Sequence, residues 1–153
     1  MKTYVASSWR NQTQPLVVER LRQEGHQVYD FRNPKQDSGP ADDGFRWQYI
    51  DSNWEKWTIG QFIAAMDHPL SQEAFKKDMR ALMNAELLVL VMPCGRSAHL
   101  EMGYAVGSGI PAVILMSDDE PELMYKMASA FAPDLDELVR LVENIQAGPL
   151  TTD

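Results

Sequence analysis

The sequence predicts an α/β fold in which helices cover both faces of a central parallel sheet. Short apolar stretches alternate along the chain with longer segments whose apolar residues recur at helical spacing. One stretch, from Leu87 to Met92, is unbroken, which is typical of a central strand buried on both faces. Gly25 and Gly109 follow two of the helical segments, where glycine commonly ends a helix. Strands that alternate with helices in this way form a parallel sheet with helical crossovers.

The same signals predict each element in chain order. Strands are expected at residues 3–6, 26–31, 86–92 and 111–116. Helices are expected at residues 15–24, 59–66, 71–85, 97–108 and from about 134 to 146. Thr13 is the expected cap of the first helix and Ser71 of the third, while Asp134 and Glu137 form the expected cap pair of the last.

Composition and charge argue against several classes of function. A chain of 153 residues fits a single domain spanning residues 1–153. Its net charge of -8 repels a phosphate polymer, so nucleic acid is not an expected partner. The longest apolar run is far shorter than the ~20 residues of a membrane span. The single cysteine, Cys94, suits a reducing cytoplasm, and the scattered histidines lack metal-ligand spacing, so neither a metal nor a cofactor is expected.

Ligands of open parallel sheets bind at the carboxyl ends of the strands. The residues that directly follow the predicted strands are therefore the first candidates for a binding site. Arg32 fits either of two roles, a phosphate contact or a pair with a nearby acid such as Asp30. The candidates are Ser7, Ser8 and Trp9, then Asp30, Phe31 and Arg32, then Cys94 to Ser97, and finally Ser117 and Asp118.

The segment from Pro93 to Gly103 carries the strongest signal for a site. A strand runs into a turn containing Gly95 and then into a helix, which directs free backbone N–H groups and the positive end of the helix dipole at one point. Arg96 and the Ser97 hydroxyl add donors there. A phosphate or a polar sugar fits such a turn.

Glu101 lies one turn inside this helix, about 60° from the direction of Ala98, and so borders the small apolar stripe facing the sheet. A capping box with Ser97 is the alternative, although its acid belongs three residues after the cap rather than four. Asp78 borders an apolar stripe of the preceding helix in the same way, or is a solvated acid beside Lys76 and Lys77. Two such acids suit glycosyl transfer, in which one attacks the anomeric carbon and the other manages the leaving group or acceptor.

An aromatic-rich insertion is expected at about residues 32–58. Its length predicts a functional or a disordered loop, and its aromatic density argues against disorder. The rings either stack on a nucleobase or pack the loop onto the core. The aromatic residues considered are Phe45, Trp47, Trp54 and Trp57.

At GRSAHLEMGYAVGSGIP the sequence resembles the nucleoside 2-deoxyribosyltransferase superfamily, which includes 5'-monophosphate N-glycosidases. The hallmark is Glu-x-Gly-x-Ala, here beginning at Glu101. The resemblance implies a flavodoxin-like, Rossmann-like three-layer fold and a small nucleoside or nucleotide as substrate. It implies that Glu101 forms a glycosyl-enzyme intermediate, that Asp78 is a second catalytic acid, and that the chain forms a homodimer or higher oligomer. The predicted substrate-binding residues are Ser7, Ser8, Trp9, Asp30, Arg32, Phe45, Trp47, Gly95, Arg96, Ser97 and Met102.

Two departures from the family pattern bear on the substrate. Glu86 stands where many deoxyribosyltransferases have an Asp, and the turn from Cys94 to Ser97 is basic where they carry acids. A basic turn that bears a hydroxyl favours a nucleotide and hydrolysis. Two alternatives stay open: a nucleotide sensor without catalysis, and an NAD-cleaving enzyme similar to TIR domains.

Overall fold

The computed structural model describes residues 1–34, 44–118 and 120–148. Its five strands are β1 Lys2–Ala6, β2 Gln27–Asp30, β3 Leu87–Val91, β4 Ala112–Leu115 and β5 Ala130–Ala132. Its five α-helices are α1 Gln14–Gln23, α2 Ile59–Met66, α3 Pro69–Met83, α4 Arg96–Gly107 and α5 Leu135–Ala147. Short 3₁₀ turns occupy Trp47–Tyr49, Trp54–Lys56 and Leu123–Met127. None of the helices in the described ranges has the length and apolar character of a membrane span.

The five strands form one sheet in the order β2-β1-β3-β4-β5. Every neighbouring pair is parallel, which confirms the predicted parallel sheet. β3 lies at the centre of this order, and β1 stands between β2 and β3. The chain therefore reverses its direction of travel across the sheet between β1 and β3, and the carboxyl ends of these two strands border the crevice where ligands of doubly wound folds bind.

The sheet is buried on both faces. Alternate strand residues such as Val89 and Val113 join one core cluster with residues of α1 and α5. The residues between them, such as Leu88 and Ile114, are equally buried but lie outside that cluster. α4 contacts β1, β3 and β4, and none of its described residues belongs to the cluster, so it covers the opposite face. Helix, sheet and helix therefore form three layers.

The chain divides into two compact units. The first consists of Met1–Asp30 and Leu82–Asp153 and contains the sheet with α1, α4 and α5. The second, Phe31–Ala81, contains two of the 3₁₀ turns, α2 and most of α3. The predicted aromatic insertion falls within the second unit, and its residues 35–43 lie outside the described residues.

Two of the three cap predictions are corrected by the structure, and the third is confirmed for Asp134. Thr13 occupies the N-cap position of α1, but its side chain makes no cap hydrogen bond. Ser71 lies inside α3, where its hydroxyl donates to the Ala65 carbonyl oxygen at 2.7 Å, because the helix begins earlier, at Pro69. Asp134 does cap α5, accepting a hydrogen bond from the Glu137 N–H at 2.9 Å, while the Glu137 carboxylate binds Arg140.

Candidate functional site

The turn after β3 leads into an open helix terminus. Gly95 is the N-cap of α4, with extended backbone angles (φ −94°, ψ −178°), and as a glycine it has no side chain that could cap the terminus. Arg96 and Ser97, the first residues of the helix, are exposed. Because the first N–H groups of a helix have no partner within it, this terminus presents backbone donors beside a guanidinium and a hydroxyl.

Glu101 lies at the boundary between the buried and the exposed faces of α4. Ala98, Met102 and Ala105 form the buried stripe of this helix, and Glu101 is partly buried beside them, as its spacing predicted. Ser97 is the second helical residue rather than the N-cap, which excludes the alternative of a capping box with Glu101. Met102 is only 3% exposed, so its side chain packs mainly into the core.

The start of α4 and Glu101 are separated along the helix. Glu101 is five residues after Arg96, which corresponds to about 7.5 Å along the axis. The effect of a helix terminus falls off within the first turn, so it acts more strongly on a bound anion than on this carboxylate. The Cα–Cβ bonds of a helix tilt towards its N-terminus, so the Glu101 side chain leaves the helix in the direction of the turn. A ligand held at the terminus would therefore lie about one turn from the carboxylate.

The loop after β1 contacts the end of β3. The Ser7 hydroxyl donates to the Val91 carbonyl oxygen at 2.8 Å, and the Ser8 hydroxyl oxygen accepts from the Arg10 N–H at 3.2 Å. Ser7, Ser8 and Trp9 are all partly buried. The structure thus brings the predicted residues after β1 to the same edge of the sheet as the turn after β3.

Asn11, which the sequence did not single out, joins these two segments. Its side chain is 3% exposed, and its Nδ2 donates to the carbonyl oxygens of Pro93 at 3.0 Å and Val91 at 3.3 Å. Its Oδ1 accepts from the N–H groups of Thr13 and Gln14, at 2.7 and 2.9 Å. Asn is a common capping residue just before a helix, which is the signal that points to this position.

Asp30 is the last residue of β2 and is held by a buried neighbour. The Gln14 Nε2 donates to its Oδ1 at 2.8 Å, so part of its acceptor capacity serves the start of α1. Arg32 belongs to the second unit, where its guanidinium carbon lies 5.8 Å from the centre of the Phe31 ring.

A histidine and a tyrosine also meet at the start of α4. His99 Nδ1 lies 2.9 Å from the Gly95 carbonyl oxygen, which can only accept, so the neutral ring carries its proton on Nδ1. Nε2 then accepts from the Tyr125 hydroxyl at 2.8 Å, and the two rings stack with centres 5.7 Å apart. Cys94 Sγ is 3.6 Å from Nδ1. The spacing of His99 and Tyr125 gave no sign of this contact.

The second unit holds the other predicted residues. Asp78 lies on α3 and is partly buried, but the predicted apolar stripe beside it is wrong in part, because Phe75 is 64% exposed. Trp47 contacts Phe45 edge to face, with ring centres 4.8 Å apart, and Trp57 at 5.8 Å. These aromatic side chains therefore pack on one another.

Similar folds occur among solved structures. No protein-family model and no curated protein sequence matches the chain. A 2-deoxyribosyltransferase from the psychrotolerant bacterium Bacillus psychrosaccharolyticus is similar with a TM-score of 0.58 and 19% identity, over 90% of each chain. A CMP N-glycosidase from Clostridium botulinum is similar with a TM-score of 0.50 and 13% identity, over 94% of this chain and 100% of the other. The chain has the fold of these two enzymes.

The structure places the two departures from the family pattern, Glu86 and the turn from Cys94 to Ser97, at opposite edges of the sheet. The Glu86 carboxylate accepts a hydrogen bond from the backbone N–H of Lys2 at 2.6 Å. Both residues stand at the amino ends of their strands, opposite the candidate site. The turn from Cys94 to Ser97 instead stands at the carboxyl end of β3. Of the two departures, only the basic turn therefore lies at the edge of the sheet where ligands of parallel sheets bind.

Proposed function

We propose that this protein cleaves or transfers at the N-glycosidic bond of a nucleoside or nucleoside 5'-monophosphate, with Glu101 as the nucleophile. The observation that carries the proposal is the position of Glu101, partly buried one turn inside a helix whose glycine-capped terminus follows the central strand β3. The fold shared with a deoxyribosyltransferase and a CMP N-glycosidase supports the same chemistry.

The spacing along α4 suits a nucleotide. A phosphate held by the first backbone N–H groups, Arg96 and Ser97 would lie about one helical turn, or ~5.4 Å, from the Glu101 carboxylate. The phosphate and the anomeric carbon of a nucleoside 5'-monophosphate are separated by a similar span. Arg96 adds a positive charge that a free 5'-hydroxyl does not need, so we propose a monophosphate as the preferred substrate.

The reaction proceeds in two displacements. A Glu101 carboxylate oxygen attacks the anomeric carbon, the bond from that carbon to the base nitrogen breaks, and the electron pair leaves with the base. Water or a second base then attacks the glycosyl ester and restores the carboxylate. Attack by water gives hydrolysis, which the basic turn favours, and attack by a base gives transfer.

Five other predicted residues have supporting roles in this proposal. Ser7, Ser8 and Trp9, after β1, and Gly95, in the turn after β3, line the edge at which the sugar would bind. Asp78 is proposed as the acid that manages the leaving base, a role implied by the sequence resemblance. Asp78→Asn should then slow the formation of the glycosyl intermediate, and the loss should be smallest for substrates whose base leaves easily.

The decisive experiment follows free base by HPLC. Purified protein is incubated with deoxynucleosides, nucleoside 5'-monophosphates or NAD, with and without an acceptor base. Glu101→Gln should reduce base release by about 10³-fold, because it removes the nucleophile and preserves the shape of the side chain. Glu143→Gln, the same change at an exposed position of α5, should leave the rate unchanged. Intact-mass measurement of quenched reactions should show the added glycosyl group only where Glu101 is present.

The other outcomes assign a different function. Tight nucleotide binding that survives Glu101→Gln, with no turnover by either protein, would indicate a sensor. Release of nicotinamide from NAD, with no cleavage of nucleosides or monophosphates, would indicate an NAD-cleaving enzyme.

A further inference from the structure

The second unit contains an aromatic cavity of its own. It has a volume of about 290 Å³, and Trp47, Trp54, Trp57 and Phe62 line it together with Glu55. Within the described residues, its lining includes one carboxylate and no Lys, Arg or His. A cavity of this volume is near the lower end of those that bind small molecules.

The rings of this aromatic cavity stand at steep angles to one another. Trp47 and Trp57 are inclined by 76° and Trp47 and Phe62 by 55°, with centres 5.8 and 6.2 Å apart. A flat base is held best between parallel rings, whereas inclined rings enclose a rounded group. The angles therefore favour a compact, roughly spherical ligand over a nucleobase.

Two carboxylates, one in the lining of the aromatic cavity and one bonded to a lining tryptophan, favour a cation. Asp51 Oδ2 accepts a hydrogen bond from the Trp57 indole N–H at 2.6 Å, and Asp51 Oδ1 accepts from the Asn53 N–H at 2.9 Å. These bonds, the Asn53 bond first, hold the pKa of Asp51 below its usual value, so the carboxylate is ionised at neutral pH. A carboxylate on the indole N–H enriches the ring in electrons, and Glu55 adds a second negative charge.

The walls of the aromatic cavity are anchored by local hydrogen bonds. Asp51 also accepts the Trp54 backbone N–H through its carbonyl oxygen at 3.1 Å. Thr58 and Gln61 form a capping box that fixes the start of α2, which carries Phe62. The rings are thus held in place before a ligand arrives, which lowers the entropic cost of binding.

We propose that this aromatic cavity is a binding site for a small organic cation bearing a quaternary or methylated ammonium group. The cation would lie against the indole faces, with Glu55 as its counter-charge. This inference does not rest on the proposed glycosidic activity.

Calorimetric titration of the full chain tests the proposal with choline and its neutral carbon isostere, 3,3-dimethylbutan-1-ol. Choline should bind saturably and about tenfold more tightly than the isostere, because only the charge differs. Trp57→Leu should weaken choline binding at least about fivefold, with folding checked by circular dichroism. Glu55→Gln should weaken it several-fold, whereas the matched change Glu73→Gln, at an exposed position of α3, should not.

Three results with choline would overturn the proposal. They are equal affinity for choline and the isostere, an equal effect of Glu55→Gln and Glu73→Gln, and no saturable choline binding at millimolar concentration. Cytosine, a flat neutral base, is titrated in parallel. Binding of cytosine at least as tight as that of choline and sensitive to Trp57→Leu would assign the aromatic cavity to a nucleobase instead.

Discussion

The side-chain amide of Asn11 donates a hydrogen bond to the carbonyl oxygen of Pro93 at 3.0 Å. Through this bond the loop after β1 is joined to the turn that precedes α4, across the crevice between two parallel strands. The same buried side chain accepts the N–H groups of Thr13 and Gln14. Asn11 therefore fixes the position of the start of α1 relative to the proposed phosphate-binding turn.

Replacing Asn11 with Asp should destabilise the protein and weaken ligand binding. The carboxylate keeps the acceptor for Thr13 and Gln14 but places an oxygen against the Pro93 carbonyl, where a donor stood. We expect the free energy of unfolding to fall by about 2–3 kcal/mol, measured by urea denaturation. Asn144→Asp, at an exposed position of α5, is the control and should change it little. Equal stability of the two variants would contradict the role given to Asn11.

Arg96→Gln should change KM for nucleotides much more than KM for nucleosides. If Arg96 binds the 5'-phosphate, its loss should raise KM for a monophosphate about tenfold and leave KM for the matching nucleoside nearly unchanged. Arg140→Gln removes the same charge from α5, where Arg140 binds Glu137, and should leave both KM values unchanged. A uniform loss with both substrates would instead show that Arg96 acts on the fold of the turn.

His26 should make stability depend on pH near neutrality. Its side chain is buried, and neither ring nitrogen has a hydrogen-bond partner in the described part of the chain. Burial, followed by repulsion from the N-terminal amino group, holds the pKa of His26 below its usual value of 6.5. The unfolded chain then binds the proton more readily than the folded one. Stability is therefore complete above pH 6.5 and falls as pH decreases from there towards the folded pKa.

Urea denaturation between pH 7.5 and 5.5 measures this effect. The free energy of unfolding should decrease by no more than about 1.4 kcal/mol per pH unit, and the decrease should disappear in His26→Leu. Asp51 and Glu137 have lowered pKa values, so their contributions are lost only at lower pH and do not enter this window. A wild-type profile that matches His26→Leu would refute the prediction.

Gly25→Ala should destabilise the end of α1. Gly25 has a φ of +85° and open space around its Cα, so an added methyl group meets no neighbour but strains the backbone. We expect a loss of about 1 kcal/mol in the free energy of unfolding. Gly60, inside α2, has no positive φ and equal space, and Gly60→Ala should cause no loss. Thermal unfolding of both variants gives the comparison.

The local signals of the sequence were sufficient to predict most of the sheet and the position of Glu101 on its helix. The unbroken apolar run became β3, residues 59–66 form the predicted helix, and the spacing of Ala98, Met102 and Ala105 defines the buried stripe of α4. These features follow from periodicity within one element. Because each element buries one face or both, its own sequence carries the periodic pattern that predicts it.

Features that depend on distant contacts were not predictable in the same way. β5 has only three residues, of which Phe131 is exposed, so its apolar run is too short to predict a strand. His99 and Tyr125 are 26 residues apart along the chain, and nothing in either neighbourhood indicates the other. Phe75 has helical spacing with Leu82 yet remains exposed, because spacing shows which residues share a face and not what covers it.

The adjacency of β1 and β3 has a consequence for the order in which the chain folds. Ser7 and Val91, which meet at the end of these strands, are 84 residues apart along the chain. β1 can pair early with β2, which follows it closely along the chain, whereas β1 and β3 pair only when the ends of the long segment between them meet. Closing so long a loop costs entropy before any contact is gained. Formation of the β1–β3 pair should therefore limit the refolding rate, and the candidate site would be completed only at that late step.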